Sequence, residues 1–114
     1  MKKYEFKRDL AGKSLKVKLR GQFNKEEGTE YIDEFKKQMN FIFNRKEYSL
    51  SLDCNEMKIT ASDTTEALEY CLNLYAKAGF KEVEIITKDN PSKAFLDMQF
   101  TRLGKKAGLD FKLI

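Results

Sequence analysis

Histidine is absent from the 114 residues, proline occurs once, at Pro91, and cysteine twice, at Cys54 and Cys71. Without imidazole the chain lacks the usual general base of neutral pH, and two cysteines too far apart for a Cys-x-x-Cys pair cannot assemble a zinc site. They read as buried thiols of a reducing compartment. No apolar run approaches the roughly 20 residues of a membrane span. The opening Met1-Lys-Lys-Tyr-Glu-Phe-Lys-Arg8 has no apolar signal-peptide core, so the expectation is a cytoplasmic protein with no membrane partner. No glycine-rich phosphate loop follows a strand, Ser62 has no visible base to activate it, and no cofactor is implied. These absences together predict a protein that is not an enzyme.

What is present suffices for one domain over residues 1–114: 41% of residues are hydrophobic, with nine Phe and five Tyr. The net charge of +4 is unevenly placed. Residues 1–20 hold eight basic and two acidic residues, a local +6, whereas the other 94 hold 14 and 16, a local −2. The basic character therefore belongs to an N-terminal feature.

Tyr4, Phe6 and Arg8 alternate with Lys3, Glu5 and Lys7, and Leu15, Val17 and Leu19 alternate with Lys16, Lys18 and Arg20. Two period-2 runs around a glycine-containing turn predict an antiparallel hairpin with one apolar and one basic face. Lysine on a sheet edge blocks strand addition, and the basic face lacks the aromatic platform of a single-strand binder. Solvated lysines are thus preferred over a nucleic-acid surface made of Lys3, Lys7, Lys16, Lys18 and Arg20, which stays as an alternative.

Asn24 with Glu27 three residues on predicts a capping box, and Tyr31, Ile32, Phe35, Met39 and Ile42 fall at helical spacing behind it. Phe41 and Phe43 exceed one stripe, so this end is expected either to insert into the core, which is preferred, or to expose an aromatic contact. Tyr48, Leu50, Leu52 and Cys54 predict a strand whose small alternates, Ser49 and Ser51, suggest coverage on both faces. A polar loop is expected from residue 55, with Asp63 as N-cap of a second helix and Leu68, Cys71, Leu72 and Tyr75 as its buried stripe. Gly79 ends that helix, and Val83, Ile85 and Ile86 form the next strand. Asn90-Pro91 predicts the start of a third helix, with Ala94, Phe95, Met98 and Leu103 inward and Gly104 as its stop. Residues 109–114 read as a last strand. The order β-β-α-β-α-β-α-β predicts an α/β fold: a mixed sheet of about five strands, an N-terminal hairpin followed by parallel crossovers, with three main helices.

Four pieces then resemble the STAS domain of bacterial anti-sigma-factor antagonists. They are Leu15-Lys-Val-Lys-Leu-Arg-Gly-Gln-Phe-Asn24, Leu50-Ser-Leu-Asp53, the helix from Leu68 to Gly79, and Arg102-Leu-Gly-Lys-Lys-Ala-Gly-Leu109. The resemblance covers about residues 14–114. It implies a non-enzymatic, protein-binding regulatory domain of transcription whose partner is an anti-sigma factor that is also a serine kinase. The family's phosphorylated turn reads Asp-Ser-Ser-Gly. Counting back from Gly79 without gaps puts Ala61 at the Asp, Ser62 at the acceptor and Thr64 at the glycine. A shift of two residues lays Asp63-Thr64-Thr65-Glu66 on the motif and makes Thr64 the acceptor.

The residues carry this reading in part by themselves, because a phosphate of about −2 charge at a helix N-terminus meets free N–H groups and the positive end of the dipole. Ser62 and Thr64 are the candidate phosphoacceptors. Gln22, Asn24, Asp63 and Thr65 are the candidate partner-binding residues, on the 22–24 turn and the 55–66 loop. The same hydroxyls also suit plain helix capping, about 1 kcal/mol each. A small-ligand site at the strand ends is a further alternative, since open α/β sheets bind there.

Overall fold

A computed structural model describes residues 2–58 and 62–114, the side chains of residues 62–64 excepted. The strands are β1 (Tyr4–Asp9), β2 (Ser14–Gly21), β3 (Ser49–Met57), β4 (Glu82–Ile86) and β5 (Lys112–Leu113), and the helices are α1 (Lys25–Met39), α2 (Ser62–Ala78) and α3 (Lys93–Ala107). They form one mixed sheet in the order β1-β2-β3-β4-β5, antiparallel between β1 and β2 and parallel thereafter. The α/β architecture expected from the sequence is the one observed.

Sequential strand order has a consequence for where the helices lie. Successive parallel crossovers of one hand return the chain to the same side of the sheet, so all three helices cover one face. Leu15, Val17, Leu50, Leu52, Val83 and Ile85 point into that layer and are buried. Helix α2 packs between α1 and α3. Toward β1 the layer is aromatic, with Phe6 stacked on Tyr31 at 5.7 Å between centroids and Phe35 edge-on to Tyr75 at 5.0 Å.

The opposite face is open and polar, which corrects the expectation that β3 is covered on both sides. Ser49 and Ser51 are small because the cross-strand pairs on this face are polar, and Ser51 Oγ donates to Glu84 at 2.9 Å. Lys18 pairs with Glu56 at 2.7 Å, Arg20 with Glu5 at 2.9 Å and Lys112 with Glu82 at 2.9 Å.

Several boundaries also move. β3 runs on to Met57 through a bulge: Lys18 faces Asp53 but Arg20 faces Glu56, so β3 holds one residue more than β2 in that interval. Asp53 therefore sits within the strand and not at its end. Asn90 accounts for the stability of the bulge. Its buried amide donates to the carbonyls of Cys54 (2.8 Å) and Met57 (2.7 Å), while its oxygen accepts from the Ser92 N–H (2.8 Å). Engaged in this way, Asn90 does not cap α3, which begins only at Lys93.

Helix α3 passes through Gly104 and ends at Gly108, whose φ of 72° suits glycine. Gly104 is in the helix for packing, since a Cβ there would run into the Phe111 ring. The inward residues are Leu96, Phe100 and Leu103, whereas Ala94, Phe95 and Met98 are exposed. Leu103 is inward as expected, and Leu96 and Phe100, seven and three residues before it, complete a stripe that leaves Ala94, Phe95 and Met98 outside.

Phe41 and Phe43 follow the end of α1 and do not enter the core: they are 59% and 94% exposed, and Ile42 between them takes the buried place. The segment after them holds the two helix ends. Arg45 Nε donates to the Ala78 carbonyl of α2 at 2.6 Å, and Nη1 to the carbonyls of Met39 and Ile42 at 3.2 and 3.3 Å. One guanidinium thus satisfies carbonyls at the C-terminal ends of α1 and α2 and places positive charge at both negative dipole ends.

Candidate functional site

The parallel strands β2, β3 and β4 all point their C-terminal ends the same way, so the N-termini of α1, α2 and α3 gather at that end of the sheet. The entry to α1 is built as its sequence predicts. Asn24 Oδ1 accepts from the Glu27 N–H at 2.8 Å, and Glu27 Oε1 accepts from the Asn24 N–H at 3.1 Å. Lys3 extends the box by donating to the same Glu27 oxygen at 2.9 Å and to the Gln22 carbonyl. The hydrogen bond from Lys3, and then that from the Asn24 backbone, hold the Glu27 carboxyl below its ordinary pKa.

Gly28, in the first turns of α1, is buried, and a Cβ on it would lie 3.3 Å from the Ala67 Cβ of α2. The absence of a side chain at this point brings the first turn of α1 against the second turn of α2. The Lys58 N–H donates to the Gly21 carbonyl at 3.0 Å and joins the exits of β2 and β3. The 22–24 turn and the start of α2 are thereby neighbours on one surface.

The candidate residues occupy that surface as follows. Gln22 is exposed in the connection from β2 to α1, and Asn24 is exposed with its side chain engaged in the capping box. Ser62, Asp63 and Thr64 form the first turn of α2, and their side chains lie outside the described residues, as does Ala61 of the motif alignment. Asp63 is consequently inside the helix and not its N-cap. Thr65 is half-buried on the same turn. The expected 55–66 loop is largely absorbed, at its start by β3 and at its end by α2.

Two features of this end were not read from the sequence. The first is a cavity of about 50 Å³ between α1, α2 and the sheet, lined by Leu19, Phe23, Met57, Leu68, Cys71 and Tyr75 among others. It is apolar and well below the roughly 150 Å³ of a hole that accepts benzene. Behind it the Tyr31 and Tyr75 hydroxyls bond to one another, fully buried. Burial raises both phenols well above their ordinary range and raises the Cys71 thiol to about 12. Cys54 and Cys71 are free and buried, as expected. The second is the start of α3, where the fully buried Thr87 hydroxyl donates to Asp97 at 2.5 Å and Lys93 reaches the same carboxylate at 2.8 Å.

The basic hairpin is less free than its composition suggests. Lys3, Lys18 and Arg20 each hold a carboxylate, of Glu27, Glu56 and Glu5 respectively, and Lys7 and Lys16 are cross-strand neighbours on the open face. No helix among the described residues is long and apolar enough to cross a membrane. No protein-family model matches the chain, and no curated protein matches it.

Proposed function

We propose that the chain is a non-enzymatic regulatory domain that binds another protein through the surface shared by the 22–24 turn and the first turn of α2. In this reading its role is that of an anti-sigma-factor antagonist, the family it resembles, and its partner is a protein of the anti-sigma, serine-kinase kind. Ser62 or Thr64 is the position at which phosphorylation controls the contact.

The observation that carries the reading is the Gly28–Ala67 approach, which packs the first turn of α1 against the second turn of α2. A phosphate added to the first turn of α2 would stand at the positive end of that helix dipole, beside the capped start of α1. Ordered by a sheet on one side and a capping box on the other, such a surface changes charge by about −2 with little change of shape.

Mass spectrometry of the protein from its own cells, with affinity capture of its partner, tests this. The expected result is phosphate on Ser62 or Thr64 and a partner whose recovery falls when Gln22 or Thr65 is replaced by alanine. Capture indifferent to those substitutions removes the interface, and absence of phosphate removes the switch.

A further inference from the structure

The end of the molecule away from the helix N-termini has a different character. Phe43 is 94% exposed, Leu10 65% and Phe41 59%. They come from two connections, the hairpin turn between β1 and β2 and the segment between α1 and β3. The Ser49 N–H joins these by donating to the Lys13 carbonyl at 3.0 Å, and the Arg8 guanidinium lies 4.6 Å over the Phe41 ring. The segments that reach this end, residues 8–14, 39–49, 76–82 and 105–111, hold eight basic residues and four acidic ones, with Arg45 engaged by helix carbonyls and Lys106 by Glu69 of α2. Protruding apolar groups here stand in a cationic surround.

We propose that this end docks on an anionic lipid bilayer. Phe41, Phe43 and Leu10 enter the headgroup layer, and Arg8, Lys13, Lys46 and Lys81 rest on the anionic headgroups. The shape favours this occupant, because the apolar side chains project from separate turns and do not line a groove. A bilayer interface receives such side chains without a matching pocket, and long basic side chains adjust to mobile headgroups. Single-stranded nucleic acid fits less well: Arg8 already covers one face of Phe41, and Leu10 offers no stacking face. Glu47 lies 3.7 Å from Lys13 and tempers that cation, which leaves the attachment weak and reversible. It is peripheral, in departure from the expectation of no membrane partner, needs no spanning helix, and is independent of the surface that α1 and α2 form at the other end.

The sequence lacks tryptophan, so Phe43→Trp installs a single indole reporter in the full chain. With vesicles of about 30% phosphatidylserine in phosphatidylcholine, its emission should shift to the blue, and pure phosphatidylcholine should leave it unchanged. Met98→Trp, exposed on α3, should not respond. Co-sedimentation with the anionic vesicles should weaken about tenfold or more when salt rises from about 0.1 to about 0.5 M. It should weaken at least about tenfold in Phe41→Ser/Phe43→Ser, with the far-ultraviolet circular dichroism unchanged. The proposal is overturned by no phosphatidylserine-dependent shift or sedimentation. It is equally overturned if the indole responds to an oligothymidylate or an acidic peptide but not to vesicles, or if sedimentation equilibrium shows self-association that Phe43→Ser abolishes.

Discussion

At the C-terminal ends of the parallel strands, polar side chains are turned inward onto the backbone: Asn24 and Glu27 close the start of α1, and Asn90 ties the β3 bulge. At the opposite end one polar side chain, Arg45, performs the backbone work for two helices, and the aromatic residues beside it are left outside. The difference teaches that exposure and importance are separable. A half-buried arginine in a polar turn holds the fold, whereas two phenylalanines four and two residues before it contribute little to it.

Replacing Arg45 by Ala should have the largest effect. Two carbonyls at helix ends and that of Ile42 lose a charged donor, for which a cost of about 3 kcal/mol is expected in urea unfolding. A cost under about 0.5 kcal/mol would show that solvent satisfies those carbonyls equally well. Asn90→Ala comes next, at about 2 kcal/mol, because two bulge carbonyls and one N–H lose their partner inside the protein. Hydrogen exchange should quicken near Met57 more than at β1, and equal changes at both places would place the damage elsewhere.

Asn24→Ala should cost about 1 kcal/mol, the loss of an N-cap. The Glu27 part of the box depends on pH with a definite sign. Its folded pKa is depressed, so its contribution is present above the ordinary value of 4.5 and is lost as pH falls through the folded value. Glu27→Gln should therefore lower stability at pH 7 and have no effect at the acid end, and an effect of equal size at both would contradict the pairing with Lys3. The smallest change is expected for Phe43→Ser, within about 0.5 kcal/mol of the parent in urea unfolding, since the ring is exposed and unpacked. A larger loss would mean that the aromatic end belongs to the fold after all.

The features legible in the sequence are those fixed within a few residues or by a repeating pattern. The Asn24 and Glu27 box, the period-2 hairpin and the αL glycine at Gly79 are local, and each stands where its residues predict. The strand-helix alternation then gives the sheet. What could not be read depends on partners far along the chain. Arg45 meets Ala78, Asn90 meets Cys54, and Gly104 is explained only by Phe111. Of the two placements expected for the phenylalanines, exposure is the one observed, because Ile42 takes the inward position in the segment after α1. Of the candidate residues, Asn24 stands at the N-cap that its spacing to Glu27 predicts, and Gln22 lies exposed in the connection before it. The loop expected between β3 and α2 was overdrawn, since strand and helix extend into it and put Asp63 within the helix.

The most direct test of the protein-binding surface is quantitative capture from the native cells with the wild-type chain, Gln22→Ala, Thr65→Ala and the exposed control Met98→Ala, each first shown to unfold at the parent urea midpoint. The account predicts one protein whose recovery falls about tenfold or more with the first two and is unchanged with the third, as interface truncations of about 1.4 kcal/mol would give. Equal recovery with all four chains would contradict it.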